Sequence, residues 1–386
     1  MKKYDFDRII PRRNTGSYKW DSAESDDVLP MWVADMDFRT ADCIIEALRR
    51  RVDHGIFGYT RVPDKYYETV VEWFGRRHGW QFTKDMIIYT SGVVPALSAI
   101  IKAMTSPGDK VIVQTPVYNC FFSSIRNNGC EIVDNPLRYE NCRYSIDYED
   151  LERKASDPKA KLLLLCNPHN PAGRVWTAEE LEKLNTICLR NNVMVVADEI
   201  HCELVFPGHR FTPFASISDE TLRNSITCNS PSKAFNTAGL QIANIIAQSP
   251  EVRAAIDRAI NINEVCDVNP FGVEALIAAY TEGEEWLSQL VDYLYHNYLT
   301  LREYFAKYLP WLPVTEMEGT YLVWVDCRSL GIDSDTLEHR LLDTERLWLN
   351  SGTMYGKDGF MRINIACPKS VMLDGLNRLC HFLNNL

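Results

Sequence analysis

The run Lys161-Leu-Leu-Leu-Leu-Cys166 has no polar residue after its first position. A strand with one wet face alternates apolar and polar residues. An unbroken apolar run reads instead as a strand buried on both faces, which requires a layer of structure on each side. The pattern recurs at Val193 to Ala197, which ends on Asp198; Lys110 to Val113, Ile226 to Cys228 and Ile242 to Ala247 are further strand-like runs, the last two each carrying one polar residue, Thr227 and Asn244. Helical patterns lie between these runs. Thr177-Ala-Glu-Glu180 is a capping box, and it opens a segment with Leu181, Leu184, Ile187 and Cys188 on one face. Strands alternating with helices specify an α/β fold: a mostly parallel sheet with helices flanking both sides. Ligands in such sheets bind just beyond the carboxyl ends of the strands.

Taken in order, residues 1–40 read as an amino-terminal arm joining the small domain. Within it, Leu29-Pro-Met-Trp-Val-Ala-Asp-Met-Asp-Phe38 is a hydrophobic strip broken by aspartates. It fits an extended segment packed on the body and equally the rim of a site. Thr40 is the expected cap of a helix bearing Ile44, Ile45, Leu48 and Val52. A second helix follows Pro63 with Tyr67, Val70, Val71 and Phe74. A short strand, Ile87 to Tyr89, leads through Ser91-Gly92-Val93 into an apolar helix, Ala96 to Met104. A strand, a Gly turn and a helix start form an anion site, because free N–H groups point outward there. The character changes after Pro270. A long helix, Glu284 to Lys307, precedes a strand (Tyr321 to Val325), a helix (Asp335 to Thr344), a strand (Gly359 to Ile365) and a terminal helix from Val371. This is a smaller α+β domain over 284–386, beside a large domain over 41–283.

Charge and composition narrow the function. The formal net charge of -11 over 386 residues disfavours a nucleic-acid reader. No apolar stretch reaches the length of a membrane span, and the start, Met-Lys-Lys-Tyr-Asp-Phe, lacks a signal-peptide core. Twelve cysteines without a Cys-x-x-Cys pair suit reduced core thiols in a cytoplasmic protein better than disulfides or a metal site.

The segment Cys228-Asn-Ser-Pro-Ser-Lys233-Ala-Phe-Asn-Thr-Ala-Gly239 is too polar and turn-rich for a helix interior. Alone, Lys233 reads as a surface lysine; in a closed pocket it would serve as an amine nucleophile. Its company decides between them. Ser91-Gly92, Tyr118, Asn167-Pro-His-Asn170-Pro-Ala-Gly173, Asp198-Glu199, Ser230-x-Ser232-Lys233 and Arg362 stand in an order that resembles fold type I enzymes of pyridoxal 5′-phosphate (PLP), the aspartate aminotransferase-like group, over nearly the whole chain. The stretches 29–38, Phe57-Gly-Tyr-Thr60, Asp198-Glu-Ile-His-Cys-Glu-Leu204 and Phe360-Met-Arg-Ile-Asn-Ile-Ala-Cys-Pro368 are most similar to the MalY/PatB type of cystathionine β-lyase, a carbon–sulfur lyase.

That resemblance implies roles. Lys233 carries PLP as a Schiff base and shuttles the Cα proton. Asp198 keeps the pyridine nitrogen protonated. Asn170 donates to the phenolic oxygen, and Tyr118 stacks on the ring. Gly92, Val93, Ser230 and Ser232 hold the phosphate, and Tyr59 reaches the phosphate of a neighbouring subunit, which implies a homodimer. Arg362 takes the substrate carboxylate as a bidentate fork, helped by Asn170 and the Ala34-Asp35 backbone. Two positions depart from aspartate-type aminotransferases. His201 stands for a tyrosine, and either bonds the phenolic oxygen or is a core histidine. Gln241 stands for a phosphate-binding arginine.

The expected reaction is β-elimination from cystathionine or related cysteine S-conjugates to a thiol, pyruvate and ammonia. An aminotransferase using the same residues is the alternative, and a regulatory protein on this fold is a third reading. Trp32, Phe57 and Met354 are candidate pocket-wall residues for the thiol half.

Overall fold

The computed structural model describes residues 2–262 and 268–386. Its centre is a seven-stranded sheet. In spatial order the strands are Ile87–Thr90, Ala243–Ala247, Ser225–Asn229, Met194–Asp198, Ala160–Cys166, Lys110–Val113 and Glu131–Asp134. Six run in one direction, and Ala243–Ala247 is antiparallel to both its neighbours. The apolar runs behave as two-faced strands. Leu163 and Leu165 pack with Leu151, Leu181, Leu184 and Cys188 of the helices on one side. Leu162 and Leu164, one residue out of phase, pack with Leu97, Ile101, Phe121 and Ile256 of the helices on the other. Every second side chain thus enters a different core layer.

The carboxyl-terminal part carries a three-stranded antiparallel sheet, Leu322–Asp326, Phe360–Asn364 and Asn350–Ser351. The 25-residue helix Glu284–Tyr308 precedes it. The arm runs along this part: Leu29–Pro30 pairs in parallel with Leu347–Trp348. Ahead of the long helix, Pro270–Glu282 forms a helix of its own that packs against the helices Asp42–His54 and Asp64–His78.

One local expectation is corrected. The first long helix begins at Asp42 with Ala41 as its cap residue, and no side chain caps it. The Thr40 hydroxyl instead donates to the carbonyl of Phe235 at 2.6 Å, tying the end of the arm to the loop that holds Lys233. A hairpin pairing Arg138–Glu140 with Arg143–Ser145 is a further element, one the strand signals did not suggest.

Candidate active site

The candidate residues are delivered by strand ends. Asp198 is the last residue of its strand, Asn170 lies four residues beyond Cys166, and Lys233 lies four beyond Asn229. Ser91 and Gly92 follow Thr90 and lead into the 12-residue helix Val93–Met104. Tyr118 follows Val113 and precedes the helix Cys120–Asn127. Arg362 arrives from the other direction, on the middle strand of the small sheet. These residues line one cavity of about 530 Å³, together with Trp32, Val33 and Ala34 of the arm.

Within it, the Lys233 amine donates to the Ala34 carbonyl at 2.6 Å, and the Tyr321 hydroxyl donates to the same oxygen at 2.9 Å. Burial lowers the lysine to about 8, with the Arg362 cation acting in the same sense. Asp198 is buried at its strand end. Desolvation raises its carboxyl to about 7, opposed by the Ile200 N–H at 3.1 Å and by the Lys233 charge. His201 is held neutral, first by burial and then by the Lys233 and Arg362 cations, and its Nδ1 has no partner.

Arg362 is 3% exposed. Its guanidinium donates to the Trp32 carbonyl at 2.6 Å and to Asn170 Oδ1 at 3.2 Å, and lies 4.8 Å from the centre of the Tyr355 ring. Its Nε has no partner. A buried, incompletely satisfied guanidinium beside a cavity has the chemistry to receive a carboxylate. With Oδ1 engaged by Arg362, the Asn170 amide presents its N–H groups to the cavity.

Other expected positions fall differently. Ser232 lines the cavity, but Ser230 sits behind the wall. The Ser230 hydroxyl donates to the Ile242 carbonyl at 2.6 Å and accepts from the Ser232 N–H at 3.1 Å. It therefore shapes the lysine turn, and its proton is already committed to a carbonyl. Asp35 does not line the cavity: its carboxylate accepts from Arg12 at 2.6 Å. Phe57 and Tyr59 lie outside it, and Tyr59 is 96% exposed. Gln241 is on the wall, and its side chain bonds the Ala238 carbonyl.

Sequence reasoning did not single out Asn236 or Asn364. Asn236 makes three bonds to the arm: it accepts from the Met36 N–H at 3.1 Å and donates to the carbonyls of Met36 and Phe38 at 2.9 and 2.8 Å. Asn364 Nδ2 donates to the carbonyls of Val33 and Asp35. Residues 33–38 form a strap stitched to the lysine loop on one side and to the arginine strand on the other. Both asparagines lie inside quoted motifs, so the signal was present, but their partners lie some two hundred or more residues away.

The donor set fits PLP on structural grounds. A buried acid, an amine of lowered pKa, an aromatic ring and a helix start preceded by glycine share one cavity. Comparison with known proteins agrees. The profile of the family Aminotransferase class I and II matches residues 26–379. Cystathionine beta-lyase PatB of Bacillus subtilis (strain 168) is 43% identical over 97% of this chain and 98% of its own length. Among solved structures, cystalysin from Treponema denticola, which contains a pyridoxal 5′-phosphate cofactor, superposes with a TM-score of 0.96 at 36% identity, covering 100% of both chains. The PLP-bound C-S lyase from Staphylococcus hominis complexed with L-cycloserine gives 0.93 at 34%, covering 99% of each. The chain belongs to the class I and II aminotransferase family, and within it to the group that includes the PatB cystathionine β-lyase.

Proposed function

We propose that the chain is a PLP-dependent carbon–sulfur β-lyase that cleaves L-cystathionine or related cysteine S-conjugates to a thiol, pyruvate and ammonia. The observation that carries this is the single cavity that brings Lys233, Asp198, Asn170 and Arg362 together. The full-length likeness to PatB supports the choice among reactions.

PLP, when bound, supplies an electron sink that makes the substrate Cα–H acidic. The chain's own groups do the rest. Arg362 takes the substrate carboxylate with its unpartnered Nε edge. The Lys233 amine, lowered to about 8 by burial, gives up its proton far more readily than an exposed lysine, and it holds and moves the Cα proton. Asp198, carrying a negative charge once a cation faces it, holds the pyridine nitrogen protonated. Tyr118 covers the ring face, and Asn170 donates to the phenolic oxygen. The N–H groups of Gly92 and Val93 and the Ser232 hydroxyl form the phosphate cradle. Neutral His201 accompanies the substrate without adding charge. With Gln241 where an arginine could stand, the phosphate is held by dipoles and N–H groups rather than by a cation of this subunit.

Tyr59 completes the cradle from a second copy in a homodimer. Ile56 and Phe57, 66% and 56% exposed, sit beside it on the same loop, and an exposed apolar loop of this kind suits an interface. Among the described residues no helix is long and apolar enough to cross a membrane. We place the enzyme in the cytoplasm.

The test is incubation of PLP-loaded protein with L-cystathionine and no keto acid. Sustained release of pyruvate and thiol is expected. Turnover that stalls after one equivalent and resumes on adding a keto acid would instead identify an aminotransferase.

A further inference from the structure

Amino-acid recognition uses up the charges of this cavity. Among its described lining residues the only acidic or basic side chains, apart from neutral His201, are Asp198, Lys233 and Arg362. Arg362 faces the substrate carboxylate, while Lys233 and Asp198 face the cofactor. Cystathionine carries a second ammonium and a second carboxylate on its thiol half, and this subunit offers neither of them a counter-charge. Asp35, the nearest further acid on the strap, is already engaged by Arg12 at 2.6 Å and lies 3.7 Å from Lys19.

Aromatic surface stands in that place. Tyr18 of the arm and Trp32 of the strap both line the cavity, with ring centres 5.3 Å apart. Trp32 is stacked on Trp348 at 4.3 Å and 14° between planes, so its indole is backed and rigid. Its carbonyl is fixed by Asn350 at 2.8 Å and by Arg362. The shelf is therefore in register with the group proposed to hold the substrate carboxylate. The backbone that carries Tyr18 is anchored next door, where Lys19 is 1% exposed and donates to Asp37 at 2.8 Å. Tyr18 itself is 72% exposed and Met354, on the cavity wall, is 41% exposed. Large apolar side chains left open beside a reaction cavity are surface awaiting an apolar group.

We infer that Tyr18, Trp32 and Met354 form the subsite for the thiol half of the substrate, and that this subsite selects cysteine conjugates with an uncharged, apolar or aromatic S-substituent over cystathionine. The inference rests on the lyase reading above. An aromatic substituent stacks on the shelf and removes apolar area from water. A zwitterionic one must give up hydration without gaining a partner.

The experiment uses the PLP-loaded, full-length protein with S-benzyl-L-cysteine, S-methyl-L-cysteine and L-cystathionine. Pyruvate release gives kcat/KM, and titration of the cofactor absorbance gives Kd without requiring turnover. S-benzyl-cysteine is expected to exceed cystathionine in kcat/KM by about tenfold or more, within the range an apolar pocket can supply. The S-benzyl to S-methyl ratio is expected to fall several-fold in Tyr18→Ala, whose exposed side chain can be removed without opening the core, and in Met354→Ala. A preference for cystathionine, or ratios unchanged in both variants, overturns the subsite. If none of the three yields pyruvate but Kd still favours the benzyl conjugate and loses that preference in Tyr18→Ala, the lyase reading fails and the subsite stands.

Discussion

Replacing Asn236 with Ala removes one set of bonds that joins the lysine loop to the arm. The side chain makes three hydrogen bonds, at 2.8 to 3.1 Å, to backbone groups of Met36 and Phe38. At about 1 kcal/mol net for each, their loss costs roughly 3 kcal/mol. Asn236 also sits at φ +54°, in the left-handed region. Asparagine tolerates that region, and alanine adds about 1 kcal/mol there. The expected loss is therefore about 4 kcal/mol for Asn236→Ala and about 3 kcal/mol for Asn236→Gly, because glycine relieves the backbone term but not the bonds. Urea unfolding of the two variants measures both quantities. Ala34 lies on the loosened strap, so KM for the amino-acid substrate should rise more than kcat falls. An Asn236→Ala protein within 1 kcal/mol of wild type, or an Asn236→Gly variant less stable than Asn236→Ala, would show that the strap is held by packing and refute the reasoning.

Other outcomes follow from the same geometry. Lys233→Ala should lose the absorbance of lysine-bound PLP and all sustained turnover; retained multiple turnover would sink the assignment. Arg362→Lys keeps the charge but loses the planar fork, and kcat/KM should fall about 10- to 100-fold, mostly through KM; a change confined to kcat would point to a different carboxylate site. Lysine captures PLP as the neutral amine, and burial lowers Lys233 to about 8. The rate of PLP uptake by cofactor-free protein should therefore climb as pH rises toward 8 and level off above it, and an inflection near the ordinary lysine value would contradict the burial argument. Glu203 is buried and accepts from Trp73, Arg77 and His78, each at 2.7 Å, which holds its pKa below the usual carboxylate value despite desolvation. Its contribution is present above the unfolded carboxylate pKa and lost as pH falls through the depressed folded one. Glu203→Ala should cost about 3–5 kcal/mol in urea unfolding at neutral pH.

How much of this was legible in the sequence follows from the range of each interaction. Apolar runs announced the central strands, because burial on two faces is a property of six consecutive residues. The seventh strand was visible as a run, but its reversed direction was not: Ala243–Ala247 follows Ser225–Asn229 through the lysine loop, and composition does not record which way a strand returns. Thr40 shows how a local rule yields to tertiary structure. A threonine before an amphipathic helix is a good cap by propensity, yet its hydroxyl reaches a carbonyl 195 residues away.

Ser230 and Asn236 make the same argument at the site itself. Both flank Lys233 in one polar turn, and a sequence gives no reason to prefer one over the other as a ligand-facing group. Ser230 follows the last strand residue directly, so its side chain turns back to the neighbouring strand and bonds Ile242. Asn236 lies beyond the lysine, where the backbone must turn through a left-handed residue, and that turn aims its amide at the strap. The chemistry-bearing residues were readable because their motifs stand in the order that resembles fold type I PLP enzymes. The residues that aim them were not, because their identity is set by carbonyls contributed from the opposite end of the sequence. The strap shows why both kinds are needed. Ala34 has no side-chain chemistry to read, yet its carbonyl receives both Lys233 and Tyr321, on a strap that Asn236 and Asn364 hold from the two sides.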